Sequence, residues 1–190
     1  SVSCISNVMK PALLLIDIQQ GFDEPYWGIR NNPNFEDNIT TLLSHWRQCS
    51  APVIHVKHNS TIEGSPLRPK LPGNAIYDFA KPIHDEPIFE KNVNSAFIGT
   101  KLSDHLTSIA NPPLVMVGMT SDQCVNTTVR MAGNLGYESY MVSDATATFN
   151  KSDHNGKTFS ADQLHEAALT SIHEEFAMVI STQNALKLCT

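Results

Sequence analysis

Ala12 to Ile18 reads ALLLIDI: five apolar residues, an aspartate, and one more apolar residue. A run with no polar alternation fits a central parallel strand covered on both faces. Outward from it, similar short runs recur at Pro52 to Val56 (PVIHV), Pro87 to Glu90 (PIFE), Leu114 to Val117 (LVMV), Glu138 to Val142 (ESYMV) and Ala177 to Ile180 (AMVI). Between them lie stretches with helical spacing. Asn34 to Cys49 carries Ile39, Leu42, Leu43 and Trp46 on one face, and Thr100 to Ala110 gives a short helix. Gln123 to Leu135 is closed by Gly136, a natural residue just past a helix end. Ser160 to Glu174 carries Leu164, Ala167, Ala168, Ser171 and Ile172 on one side, and Ser181 caps a last helix to Leu188. Strand and helix alternating about six times predict an α/β fold. Its three layers, α/β/α, enclose a mostly parallel, Rossmann-like sheet with right-handed crossovers. Residues 59–73, rich in Ser, Pro, Gly and charge, read as a long loop of the kind that carries function, and a lid role is open.

The chain of 190 residues suits a single domain, assigned to residues 9–190. Residues 1–8 read as a short leader, or a remnant ahead of a natural start at Met9. A formal charge of -6 disfavours nucleic acid or an anionic membrane as partner, since both reward a basic face. The 4 cysteines (Cys4, Cys49, Cys124, Cys189) are too scattered for a disulfide scaffold, which points to a reducing, cytoplasmic setting. No apolar run approaches the ~20 residues of a membrane span.

Chemistry in parallel α/β folds gathers at the carboxyl ends of the strands. Three residues sit there. Asp17 breaks the first apolar run near its end, where a lone buried carboxylate would be costly without a partner. Lys91 follows PIFE and is its natural counter-ion. Cys124 lies in the first turn of the helix after LVMVG, behind the cap-forming Thr120, Ser121 and Asp122. Helix N–H groups and a nearby ammonium both favour thiolate over thiol. The alternatives are a structural carboxylate, a solvated lysine and an inert core cysteine.

The residues also match a known pattern. ALLLIDIQQGF resembles the opening strand of isochorismatase-like hydrolases, with its D-x-Q-x-x-F signature. EKNVNSAFIGT resembles their lysine segment, and VGMTSDQCVNTTVRMAGNLGY, followed by SDAT at Ser143 to Thr146, resembles their nucleophile segment. The match runs in order from about Lys10 to Ile180, within the cysteine hydrolase branch. It implies a six-stranded parallel sheet and a catalytic triad of Asp17, Lys91 and Cys124. It further implies a cis peptide between Met119 and Thr120, an oxyanion hole from the N–H groups of Thr120 and Cys124, and a homo-oligomer (dimer or tetramer). The expected reaction is hydrolysis of a C–N bond in a small molecule through a thioester. The alternatives are vinyl ether cleavage of the isochorismate type, or a catalytically idle binding protein.

The resemblance has departures. Nicotinamidases of this superfamily hold a metal with a D-x-H pair and a further histidine, and HVKHNST lacks that pair. His55 and His58 face opposite sides of a strand, while His165 and His173 stand ~12 Å apart on a helix. No metal and no cofactor are therefore expected. Phe22, Trp27, His58 and Phe97 are the candidates for lining a substrate site, and Arg68 and Lys70 could meet an anionic substrate.

Overall fold

The computed structural model describes residues 9–190. The leader assigned to residues 1–8, and Cys4 with it, lies outside the described residues. Six strands form one sheet: β1 (Ala12–Ile16), β2 (Val53–His58), β3 (Ile88–Lys91), β4 (Leu114–Met119), β5 (Ser139–Ala147) and β8 (Met178–Ile180). Every neighbouring pair is parallel, in the order β3-β2-β1-β4-β5-β8. Sequence order runs one way from β1 to β3 and the other way from β4 to β8. The reversal therefore falls between β1 and β4, where a crevice opens beyond the strand ends.

The five residues of β1 are all buried, as a strand covered on both faces requires. Alternate side chains go to opposite layers. Leu13 and Leu15 join a core with α1 (Phe35–Gln48), which contributes Phe35, Ile39, Leu42, Leu43 and Trp46, and with α5 (Thr182–Leu186). Ala12, Leu14 and Ile16 join a second core with α2 (Leu102–Ser108), α3 (Cys124–Asn134) and the end of α4 (Ala161–Ile172). Truncating one such fully buried leucine to alanine costs about 2–5 kcal/mol. Helix α4 begins with a capping box in which Ser160 and Gln163 satisfy each other's backbone N–H groups.

Two features escape the apolar pattern. β5 extends to Ala147 rather than stopping at Val142, because the polar SDAT segment bulges out of the ladder. Met116 pairs with Met141 and Gly118 with Thr146, so five steps of β5 span two of β4. A small antiparallel ribbon, β6 (Lys151–Ser152) with β7 (Thr158–Phe159), leads into α4. Gly118 is required where it sits: its φ is +124°, and a Cβ there would lie 1.9 Å from the Ile16 carbonyl oxygen. The close approach of β4 to β1 at this point sets the spacing of the residues just beyond both ends.

The loop at 59–73 is held to the body of the protein rather than free in solvent. Asn74 donates to the carbonyls of His58 (3.2 Å) and Leu67 (2.8 Å), and the Ser60 N–H donates to the Leu67 carbonyl. Leu67 is buried in the core.

Candidate active site

Asp17 follows β1 directly, with φ at +53°, an uncommon backbone setting for a residue other than glycine. Its N–H still bonds to the Val56 carbonyl, so the sheet fixes the carboxylate at the rim. Lys91 ends β3, and its Nζ donates to Asp17 Oδ2 at 2.9 Å. The pair is only 1 % and 2 % exposed, so each charge depends on the other. Lys91 Nζ also lies 2.9 Å from His58 Nδ1, at the end of β2. Burial, reinforced by the Lys91 charge, pulls the His58 pKa below its usual value. A neutral ring accepts from the ammonium on Nδ1 and carries its own proton on Nε2.

Cys124 opens α3, and its Sγ falls within 4.8 Å of both an Asp17 carboxylate oxygen and a His58 ring nitrogen. Asn94 Nδ2 donates to the same sulfur at 3.5 Å. Burial first, and the Asp17 charge second, push the thiol up to about 12, with Lys91 pulling the other way. The balance therefore lies toward the thiol. The helix end and the ammonium do favour the anion, but lost hydration and a facing carboxylate outweigh them. The resting rim thus combines thiol, carboxylate and ammonium.

The peptide between Met119 and Thr120 is cis. In the turn that follows, the N–H groups of Ser121, Gln123 and Val125 donate to the carbonyls of Ala147, Thr120 and Thr120. Among the described residues, those of Thr120 and Cys124 have no acceptor. Behind the turn, His165 Nδ1 meets Ser121 Oγ at 2.7 Å and Nε2 meets the Ser143 carbonyl at 2.9 Å. Asp122 accepts from Thr148 (2.6 Å) and pairs with Lys151. The bulged SDAT segment therefore backs the turn that leads to Cys124.

A cavity of about 380 Å³ opens over these groups. Phe22, Tyr26 and Trp27 make one wall, Ile62 and Leu67 another, and Asn94, Thr120 and Gln123 the rim. Phe22 packs on Trp27 at 4.8 Å between ring centroids. Phe22, Trp27 and His58 thus line the site. Phe97 does not: it is buried in the core beside α3 and stacks on Tyr137 at 5.7 Å, because Ala96 is turned toward α3 by a bond to Thr128. Arg68 and Lys70 are exposed and contribute nothing to the lining, which holds no lysine or arginine. A larger groove lies at the opposite, amino end of the strands, lined by Arg47, Pro52 and Glu86, and none of the rim residues reaches it. The sequence reading missed Asn94, Tyr26 and Gln19. Gln19 is fully buried and grips the His58 backbone in both directions, at 3.0 and 2.9 Å. The D-x-Q spacing carried that signal, whereas Asn94, in a bend, and Tyr26, in a single 3-10 turn (Pro25–Trp27), are exposed and left none.

A six-stranded parallel sheet between two helical layers, with this polar rim beyond its carboxyl edge, is the fold of the isochorismatase-like class of hydrolases. The chain belongs to the isochorismatase family: the Isochorismatase domain model matches residues 11–184. It is 41 % identical over 177 residues to the isochorismatase family protein YrdC of Bacillus subtilis, covering 93 % of this chain and 95 % of the relative. A solved isochorismatase-family structure from Chromobacterium violaceum superposes with a TM-score of 0.90 at 39 % identity, covering 95 % of this chain and 93 % of that one. Nicotinamidase 3 of Arabidopsis thaliana is 29 % identical over 187 residues, covering 92 % of this chain and 86 % of the relative. No helix among the described residues is long and apolar enough to cross a membrane.

Proposed function

We propose that the protein hydrolyses the C–N bond of a small, uncharged amide through a thioester on Cys124. The observation that carries this reading is the division of labour within one carboxylate. Asp17 Oδ2 is bonded to Lys91, while among the described residues the buried Oδ1 has no hydrogen-bond partner, in a site where the Cys124 sulfur is within 4.8 Å of a carboxylate oxygen. That is the arrangement of a base waiting for a proton. Burial and the facing Asp17 carboxylate both hold the Cys124 thiol above its usual pKa, so the protonated form prevails at neutral pH. Attack therefore needs proton removal coupled to bond formation.

In the proposed cycle Asp17 accepts the Sγ proton as the sulfur adds to the amide carbon. The N–H groups of Thr120 and Cys124 receive the oxyanion. Asp17 then returns the proton to the departing nitrogen, and the amine leaves behind a thioester. Asp17 next takes a proton from water, whose oxygen displaces the sulfur. The acid is released and the thiol is restored. Lys91 holds the carboxylate in place and balances its charge throughout. His58, fixed through Gln19, limits where Lys91 can point.

Two observations support the choice of substrate. Nicotinamidase 3, a relative, takes its name from amide hydrolysis. The cavity is walled by aromatic and aliphatic side chains and lined by no lysine or arginine, so a carboxylate-bearing substrate would enter without a counter-ion. Vinyl ether cleavage, the other reaction of the superfamily, needs no thiol and gains nothing from Cys124. The test is to screen uncharged aliphatic and aromatic amides for ammonia release, with hydroxylamine added to intercept the acyl enzyme. Turnover by wild type, a hydroxamate product, and loss of both in Cys124→Ala are expected. Full amide turnover by Cys124→Ala would refute covalent catalysis. A cytoplasmic homo-oligomer remains part of this proposal, and size-exclusion chromatography with light scattering tests the assembly.

A further inference from the structure

A second cluster of soft donor atoms lies away from the cavity, where the end of α1 meets the C-terminal segment. His45 and Cys49 stand four residues apart on α1, so both project from one helical face. Cys189 comes against them from the far end of the chain. A His45 ring nitrogen, Cys49 Sγ and Cys189 Sγ all lie within 4.8 Å of one another. His45 Nε2 and Cys49 Sγ are 3.6 Å apart. That equals the edge of a tetrahedron built on Zn–N and Zn–S bonds, roughly 3.6 Å from lengths of about 2.05 and 2.3 Å. Cys189 is buried, while His45 and Cys49 are half-buried, so the cluster is closed on one side and reachable from solvent on the other. Histidine pairs alone did not point to it, because two of its three donors are cysteines.

We propose that His45, Cys49 and Cys189 form a binding site for a thiophilic d¹⁰ cation, zinc(II) above all, with water as the fourth ligand. The cation would clip the C-terminal segment to α1. In its absence the donors are held by weaker contacts: His45 Nε2 meets the Cys189 carbonyl at 2.6 Å, and the Cys49 thiol donates to that carbonyl at 3.5 Å. Loading moves the ring proton of His45 to Nδ1, leaves Nε2 facing the ion, and releases one proton from each thiol. Zinc binding is therefore accompanied by loss of two protons and tightens as pH rises. Burial first, then Cys49, push the Cys189 thiol up to about 11, so the cation has a proton to displace at neutral pH.

The test uses the fully reduced chain in a Cys124→Ser background, which removes the sulfur of the rim. Zinc is titrated against a chromophoric chelator, and cobalt(II) replaces it to report thiolate ligation by charge-transfer absorption. One equivalent bound, a cobalt–thiolate band, and loss of both in Cys49→Ser and in His45→Ala are expected. Zinc should also raise the melting temperature of the parent and leave that of Cys49→Ser unchanged. Cys49 and His45 are half-exposed, so these variants remain informative if Cys189→Ser fails to fold. No binding by the reduced protein overturns the proposal. So does binding that survives both Cys49→Ser and His45→Ala, or a Cys49–Cys189 disulfide as the only chemistry of the pair.

Discussion

Replacing Asp17 with asparagine should make Cys124 more reactive toward alkylation while abolishing turnover. The carboxylate has two opposed effects on the thiol. In the proposed cycle it accepts the proton, yet its charge is the second-largest cause, after burial, of a thiol pKa of about 12. At the outer limit of 4.8 Å and an effective dielectric constant of ~20, the repulsion between carboxylate and thiolate is about 3.5 kcal/mol, or roughly 2.5 pKa units. The thiolate fraction at pH 7 should therefore rise by about 300-fold in Asp17→Asn. Amide hydrolysis, deprived of its proton acceptor, should fall by ~10²–10⁴-fold. The assay is iodoacetamide labelling from pH 6 to 10, quantified at Cys124 by peptide mass spectrometry. In wild type the rate should climb across the whole range without a plateau, because the thiol titrates above it. Cys124 should label more slowly than the half-exposed Cys49. A plateau below pH 8 in wild type, or slower alkylation in Asp17→Asn, would refute the assignment of a resting thiol facing a charged base.

Other expectations follow from the same geometry. Lys91→Met and Asp17→Asn should each cost about 3–5 kcal/mol in urea unfolding, whereas the double variant should cost clearly less than the sum, since it leaves no buried charge. Gly118→Ala should lower stability by more than ~3 kcal/mol, or prevent folding, because its Cβ meets the Ile16 carbonyl at 1.9 Å; soluble yield and urea midpoint report it. Glu86 is pushed upward by burial, but hydrogen bonds from Arg47, the Ile83 N–H and His55 prevail and hold it at about 2. Its folded pKa is depressed, so its contribution is complete above the unfolded carboxylate range near ~4.3 and disappears as pH falls toward 2. The melting temperature of Glu86→Gln should thus fall less steeply than that of wild type in that window. Trp27→Ala should raise KM for an apolar amide more than it lowers kcat, because the ring lines the cavity and its indole N–H bonds to the Gly21 carbonyl rather than to Asp17, Lys91 or Cys124.

Much of this was legible in the sequence because the signals were strong ones. A strand covered on both faces has no choice but to be uniformly apolar, which is why ALLLIDI, PVIHV and LVMV located β1, β2 and β4. An aspartate buried at the end of such a strand must find a cation, and Lys91, at the end of β3 two strands away, supplies it. What escaped notice depends on tertiary placement. Phe97 was a candidate for the pocket, but the backbone turns it toward Tyr137. The helix position of Cys124 is visible in a sequence, whereas the desolvation that raises its pKa is not. The bulge in β5 was invisible because Ser143 to Ala145 are polar or small and carry no periodicity.

The origins of the cavity's parts bear on how such a protein changes over time. The carboxylate, the ammonium, His58 and Thr120 are all fixed by strand ends, and a shift at one would disturb hydrogen bonds across the whole ladder. The walls come from elsewhere: Tyr26 and Trp27 from a turn after β1, Ile62 and Leu67 from the segment anchored by Asn74. Selectivity can therefore drift while reactivity stays put. Grafting residues 20–27 and 60–67 from a relative onto this chain should transplant that relative's preferences and leave the proton chemistry intact.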